Sequence, residues 1–181
     1  MEILFVTGNK HKLEEAKFVL AKYGIAVKQL NEEKFEHKDM SLEEVSRYNA
    51  EKFFEKYKLP VMVDDTGVFF EKYNNFPGNH PKMIFNMLGY KGLLKLTKDE
   101  SKKAYFKTVI AYKDKKTSKI FEGILNCTIS EIVHDKDADV MPYERILLVD
   151  GKPLSSMTRP QKNKISHRAK AFNKLGEFLS K

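Results

Sequence analysis

The chain has 181 residues, 41% of them hydrophobic and 32% charged; this is an ordinary globular composition, long enough to bury one core, and it excludes a disordered chain. Its net charge of +8 comes from 33 Lys plus Arg against 25 Asp plus Glu, scattered except for a distinctly basic stretch from Arg159 onward, which favours an acidic ligand such as a phosphate over nucleic acid. No apolar run approaches the roughly 20 residues of a membrane span, the start predicts no signal peptide, and a lone cysteine, Cys127, excludes an intrachain disulfide or a cysteine zinc site, so a cytoplasmic setting is expected.

Ile3 to Val6 is a β-branched and aromatic run that predicts a buried strand. Asn9 then caps a helix to about Tyr23, with Leu13, Ala16, Phe18, Val19 and Leu20 at helical spacing, and Gly24 ends it. The turn between them, Thr7-Gly8-Asn9-Lys10-His11-Lys12, has two readings. Gly8 at the strand end lets backbone N–H groups approach a phosphate, the helix dipole favours an anion there, and Lys12 reaches the same place one turn on. It reads equally as a plain capping turn, because the pattern G-x-x-x-x-G-K-[ST] is absent.

A second strand is expected at Ile25 to Leu30. Ser41 and Glu44 form a capping box for a helix running to about Tyr57. Val61-Met62-Val63 predicts a third buried strand that ends in Asp64-Asp65-Thr66-Gly67. Two carboxylates there fall where open α/β sheets place ligands, and since neighbouring strand residues point to opposite faces, one of the two should face a site. A turn aspartate relaxed by a glycine is the simpler alternative. Phe76-Pro77-Gly78-Asn79-His80-Pro81 reads as a rigid loop.

Strand–helix–strand–helix–strand in the first third predicts an α/β sheet. Tyr105 to Tyr112 and Lys119 to Val133 then predict a long β-hairpin turning at Lys113 to Ser118. Ile146 to Val149 adds a strand ending at Asp150-Gly151, and one helix is expected from about Arg159 to Leu179. Spacing alone makes Ser166-His167-Arg168 a solvated basic face, and no nucleophile elbow accompanies Ser166. His37 and His134 read as surface residues. With no linker, the chain is expected to be a single domain over 1–181 with two lobes.

Together these motifs resemble one family, the inosine triphosphate pyrophosphatases, also called Ham1-like or dITP/XTP pyrophosphatases. The matching residues are Thr7-Gly8-Asn9 with Lys12, the helix from Ser41, Val63-Asp64-Asp65-Thr66-Gly67, Phe76-Pro77-Gly78, Ala104 to Ile110, and Met157-Thr158 followed by Lys162 and Ser166-His167-Arg168. They are collinear over nearly the whole chain. The resemblance implies an α/β fold of the ITPase-like (Maf/Ham1) kind: an elongated mixed sheet, two α/β lobes with a central cleft, and a homodimer. It implies Mg2+-dependent cleavage of the α/β phosphate linkage of deaminated purine nucleotides (ITP, dITP, XTP) to a monophosphate and pyrophosphate.

By position, Thr7, Asn9 and Lys12 would hold the triphosphate, Asp65 would activate water, and Asp65, Asp64 and Glu36 would hold Mg2+. Thr66 would shape the floor of the site. Tyr143 and Glu144 would meet the base, and Lys162, His167 and Arg168 the base and nearby phosphate. The chain departs from the family pattern in three places. His37 stands where the family has a metal-binding acid, so Glu36 serves only with a one-residue slip. Asn49, with Lys52 a turn away, stands where many members have a phosphate-facing lysine. Val140-Met141-Pro142-Tyr143-Glu144-Arg145-Ile146 replaces Phe-Gly-Tyr/Trp-Asp-Pro at the purine pocket. The alternatives are the same fold with another nucleotide preference, or a non-catalytic dimer that binds nucleotide or nucleic acid.

Overall fold

The computed structural model describes residues 1–37, 39–74 and 76–181. The main elements in chain order are β1 (Glu2–Val6), α1 (Lys10–Leu20), β2 (Ala26–Leu30), α2 (Leu42–Tyr57), β3 (Val61–Phe70), β4 (Phe76–Gly78), α3 (Pro81–Leu96), β5 (Lys103–Lys113), β6 (Ser118–Ile129), β7 (Leu147–Val149), β8 (Lys152–Pro153), α4 (Arg159–Ile165) and α5 (His167–Leu179). They fall into two units: Met1–Thr66, Thr108–Gly123 and Ile165–Lys181 form the first, and Gly67–Lys107 with Ile124–Lys164 the second. The divisions lie within β3, β5, β6 and α4.

The first unit is built on β1, which is apolar on both faces. Ile3 and Phe5 join a cluster with Met62, Ala16, Val19 and Leu20 of α1 and Ala169, Phe172 and Leu175 of α5. Leu4 and Val6 join the opposite cluster with Val61, Val63 and the α2 residues Ala50 and Phe53. A strand buried on both faces belongs in a parallel sheet covered by helices, and β1 pairs in parallel with β2 and β3. The strand order is β2-β1-β3-β5-β6.

The second unit carries further antiparallel pairs. There β4 pairs with β3, β7 with β6, and β8 with β7 across the Asp150-Gly151 turn, both of whose residues have positive φ. The mixed α/β sheet is therefore the expected one. Among the described residues, no helix is long and apolar enough to cross a membrane.

Local signals were accurate at several ends. Asn9 caps α1, Gly24 leaves the following turn at φ 67°, and both halves of the Ser41–Glu44 capping box form. The β5–β6 hairpin closes on Asp114, whose Oδ1 accepts from the N–H groups of Lys116 and Thr117.

Four elements differ from expectation, the first being Phe76-Pro77-Gly78, read as part of a rigid loop, which forms β4 against β3. β3 does not stop before Asp64 but runs through the two acids to Phe70. The expected final helix is two, broken at Ser166, whose Oγ accepts from the Ala169 N–H at 2.9 Å and caps α5. α3 has no counterpart in the sequence pattern because glycines interrupt its periodicity; Gly89 itself leaves helical geometry at φ 58°.

Close approach of α5 to β6 requires a glycine. A Cβ on Gly123 would stand 1.9 Å from the His167 carbonyl oxygen and 2.8 Å from the Ala171 nitrogen. Both obstacles are backbone, so neither can rotate away. Gly123→Ala is expected to destabilise the protein by about 2–3 kcal/mol through overpacking, read as a lower urea midpoint. A loss under about 0.5 kcal/mol, the range of a harmless surface change, would show that α5 shifts freely.

Candidate phosphate and acid site

The pairing of β1 with β3 explains where the acids sit. The register places Val6 opposite Val63 and β1 then ends, so Asp64 and Asp65 lie on the part of β3 that runs past its neighbour. They are inside a strand, yet at the carboxyl end of the strand beside them. Alternation then separates them. Met62 faces α1 and α5 while Val61 and Val63 face α2, so Asp64 takes the α1/α5 side and Asp65 the α2 side.

Asp64 is fully buried and held by two cations. Lys12 Nζ of α1 donates to Oδ1 at 3.0 Å, and Arg168 Nε of α5 donates to Oδ2 at 3.2 Å. Arg168 is itself 3% exposed, and its other nitrogens donate to Glu15 Oε2 at 2.7 Å and Thr66 Oγ1 at 3.4 Å. Glu15 also accepts from Ser166 Oγ, and Thr66 meets Thr108 at 2.7 Å. A buried carboxylate without partners would be costly; here each charge is matched and hydrogen-bonded.

Burial alone would raise the Asp64 pKa, but Lys12, Arg168 and Lys34 outweigh it and hold it at about 2 against an ordinary 3.8. The same burial lowers the Lys12 pKa, which Asp64 partly restores. For Arg168, burial is outweighed by Glu15 and Asp64, which keep it charged. His167, 7% exposed, is pushed well below the usual imidazole range by burial and then by Arg168.

Because the Asp64 pKa is depressed on folding, its contribution is fully present above the unfolded value of 3.8 and is lost as pH falls toward 2. At about 1.4 kcal/mol per unit it amounts to about 2 kcal/mol. Urea unfolding across that window is expected to show this loss in the wild type and not in Asp64→Asn. Parallel pH profiles would contradict it.

Asp65 is more open, its side chain 26% exposed, and Lys34 Nζ donates to its Oδ1 at 3.0 Å. Lys34 also donates to the Asp64 carbonyl at 2.6 Å, an oxygen beyond the reach of β1. Its ammonium is desolvated, but Asp65 and Asp64 more than compensate and raise its pKa, with a smaller effect from Glu36. Lys34 was not anticipated from sequence; a lysine in an irregular segment carries no periodic signal. Glu15 was also missed, though an acid on the buried stripe of α1, three residues after Lys12, was a readable sign.

The N-terminal turn satisfies much of itself. Thr7 Oγ1 accepts from the Asn9 N–H at 3.1 Å, and Asn9 Oδ1 accepts from His11 N–H at 2.9 Å and Lys12 N–H at 3.3 Å. Among the described residues this leaves the Gly8 and Lys10 N–H groups as the turn's uncommitted donors. Gly8 also lies tight against Asn31, whose Oδ1 would be 2.9 Å from an added Cβ.

The structure brings Lys12, Lys34, Asp64, Asp65, Thr66 and Arg168 together in the first unit and corrects several expectations. The basic start of α5 is not a solvated face: the break at Ser166 turns His167 and Arg168 inward. Arg168, expected at the base and nearby phosphate, donates to Asp64, Glu15 and Thr66. Asn49 does not replace a phosphate lysine, being fully buried with its amide bonded to the backbone of Phe35 and Val45; Lys52 is exposed.

In the second unit Tyr143 is 5% exposed, against Phe70 and Phe85, with its hydroxyl donating to the Pro81 carbonyl at 3.0 Å. It is a core ring of that unit and not an open stacking platform. Glu144 and Lys162 form an ion pair at 2.7 Å. His134, expected at the surface, is only partly exposed and meets Ser130 Oγ at 2.8 Å.

Glu36, Asp64 and Asp65 do not form one ligand set: among the described residues, no three His, Cys, Asp or Glu side chains are grouped to hold a metal. Glu36 is exposed on the segment after β2. The donor chemistry nonetheless suits a hard divalent ion that takes one or two carboxylates and completes its shell with water and substrate phosphates. Asp65 is partly open, and its Oδ2 makes no protein hydrogen bond among the described residues.

A model of the Ham1 family matches residues 3–178. The chain is 34% identical to the dITP/XTP pyrophosphatase of Saccharolobus solfataricus, over 99% of this chain and 94% of that one. It is 36% identical to the dITP/XTP pyrophosphatase of Hyperthermus butylicus, over 98% and 94%. Among solved structures, the HAM1 protein from Coxiella burnetii aligns with a TM-score of 0.83 at 22% identity, covering 99% of this chain and 98% of that chain. The Staphylococcus aureus Ham1 protein aligns at 0.77 and 21%, with the same coverage. At those identities the two structures show a shared fold.

Proposed function

The chain belongs to the Ham1 family, and on that premise we propose that it is a nucleoside-triphosphate pyrophosphohydrolase that converts dITP, XTP and ITP to the monophosphate and pyrophosphate. The observation that carries this is the acid pair beyond the end of β1, with Lys12, Lys34 and Arg168 on it and the uncommitted N–H groups of the Thr7–Lys12 turn at the end of the same strand. Cations and helix-terminal amides suit a polyphosphate, and an open carboxylate suits the water that attacks it.

Asp65 orients the water and takes its proton as the α/β phosphate linkage breaks. Asp64 and Arg168 fix Lys12, whose ammonium faces the phosphates together with the turn amides. Thr7 and Asn9 hold the turn in shape, and Thr66 anchors the floor through Arg168 and Thr108. Mg2+, held by Asp65, would neutralise charge developing on the leaving pyrophosphate. Glu144 and Lys162 keep base recognition as their expected role. The proposal includes a homodimer working in the cytoplasm, which rests on the family resemblance and the single cysteine.

The test is pyrophosphate release across a panel of nucleoside triphosphates with Mg2+. Turnover of dITP and XTP well above ATP and GTP is expected; absent turnover on every nucleotide sinks the proposal. A second reading keeps the chemistry and changes the base. It is favoured by the Met141-Pro142 replacement, which opens a short 3-10 turn at Pro142–Arg145 and leaves Tyr143 in the core. A preferred substrate other than ITP, dITP or XTP in the same panel decides for it.

A further inference from the structure

Lys34 reaches the acid pair from the irregular segment between β2 and α2, unlike Lys12 and Arg168, which come from helices. Its starting point is pinned by the next residue. Asn49, fully buried on α2, accepts from the Phe35 N–H at 2.8 Å and donates to the Phe35 carbonyl at 2.8 Å. The Phe35 ring packs on Tyr48 with centroids 4.8 Å apart. From that fixed backbone the Lys34 ammonium ends between two oxygens, 2.6 Å from the Asp64 carbonyl and 3.0 Å from Asp65 Oδ1. Oxygen donors, one of them charged, are what a hard metal cation also takes.

We propose that Lys34 is a resident cation at the metal position: it holds Asp65 in the nucleotide-free protein, yields Asp65 to a divalent cation, and then serves the substrate phosphates. This rests on the phosphate-site assignment of Asp65 made above. Charge balance supports the exchange. Lys12, Lys34 and Arg168 offset Glu15, Asp64 and Asp65, so the cluster is formally neutral and offers a polyphosphate little net attraction. A divalent ion taking Asp65 frees one positive charge for the phosphates and leaves no buried carboxylate unpaired. While Lys34 sits on Asp65, the affinity for metal alone is lowered by the fraction of molecules in which Asp65 is held. Metal and nucleotide then raise each other's affinity by the same factor.

The experiment is titration of the nucleotide-free full chain with Mn2+, followed by the electron paramagnetic resonance signal of the free ion. Lys34→Met is expected to bind Mn2+ about tenfold more tightly than the wild type. Lys34→Arg, which keeps the charge, should stay near the wild type, and adding Asp65→Asn to Lys34→Met should remove the gain. Unchanged or weaker Mn2+ binding in Lys34→Met, an equal gain in Lys34→Arg, or a gain that survives Asp65→Asn overturns the proposal. Because the readout needs no turnover, the two failures separate. Normal pyrophosphate release with no Mn2+ gain refutes the role of Lys34 alone. A Mn2+ gain in a protein that hydrolyses no nucleotide supports that role and refutes the proposed activity.

Discussion

Asp65→Asn is expected to lower the rate of pyrophosphate release by roughly a thousandfold, the middle of the range for loss of a positioned proton acceptor, with little change in stability. The two effects separate because of where Asp65 sits. Its side chain is 26% exposed, and Lys34, its one protein partner among the described residues, keeps its bond to the Asp64 carbonyl, so losing the pair costs about 1 kcal/mol. The amide keeps the shape of the carboxylate and loses its charge and basicity. The fall should therefore appear in kcat for whichever nucleotide the panel prefers, with the urea midpoint nearly unmoved. Retention of more than about a tenth of the activity would be too much for removal of the group that takes the proton. Asp64→Asn is the contrasting variant. It leaves the buried Arg168 and the partly exposed Lys12 against a neutral group in place of a fully buried carboxylate, so its main effect should be on folding.

Arg168→Ala is expected to cost about 3–5 kcal/mol at neutral pH, because it strands Asp64 and Glu15 as buried carboxylates without their guanidinium. The side chains of Arg168 and Asp64 are 3% and 0% exposed and that of Glu15 is 11%, so solvent cannot substitute. Arg168→Lys should recover little of this. One ammonium cannot span Asp64, Glu15 and Thr66, which the guanidinium serves through three separate nitrogens. The measurement is urea unfolding near pH 7, and a loss below about 1 kcal/mol would show that Asp64 and Glu15 find other partners. The sign of the pH dependence gives a second check. Without Arg168 the Asp64 pKa moves up toward its unfolded value of 3.8, so the loss of stability on acidification below that pH is smaller than in the wild type.

Much of the candidate site could be read from local sequence. The Thr7–Lys12 turn, the Asn9 cap, the Ser41–Glu44 box, the Asp114 hairpin and the Asp150-Gly151 turn depend on residues within a few positions of each other. Backbone geometry and side-chain capping decide such features at short range. The apolar run Ile3 to Val6 indicated a buried strand, and the collinear motifs indicated the family. Where β3 would end was not legible, since Thr66 and Val68 to Phe70 extend the strand as readily as they could form a turn. The break at Ser166 was hidden because Ile165, Ala169 and Phe172 keep helical spacing across it.

The identity of the acids was thus a property of the sequence, but their division of labour was a property of the packed sheet. Register between β1 and β3 sets Asp64 and Asp65 past the end of β1, and alternation sends one toward α1 and α5 and the other toward α2. The cations that complete the cluster come from far along the chain: Lys12 is 52 residues from Asp64, Arg168 is 104 residues from it, and Lys34 is 31 residues from Asp65. Burying a carboxylate requires charges that arrive only when helices and strands have docked, and no local pattern encodes which lysine or arginine will be near enough. For that reason the chemistry of the site was written in the residue types, whereas Lys34, Glu15 and the inward turn of Arg168 emerged only from the packing of distant elements.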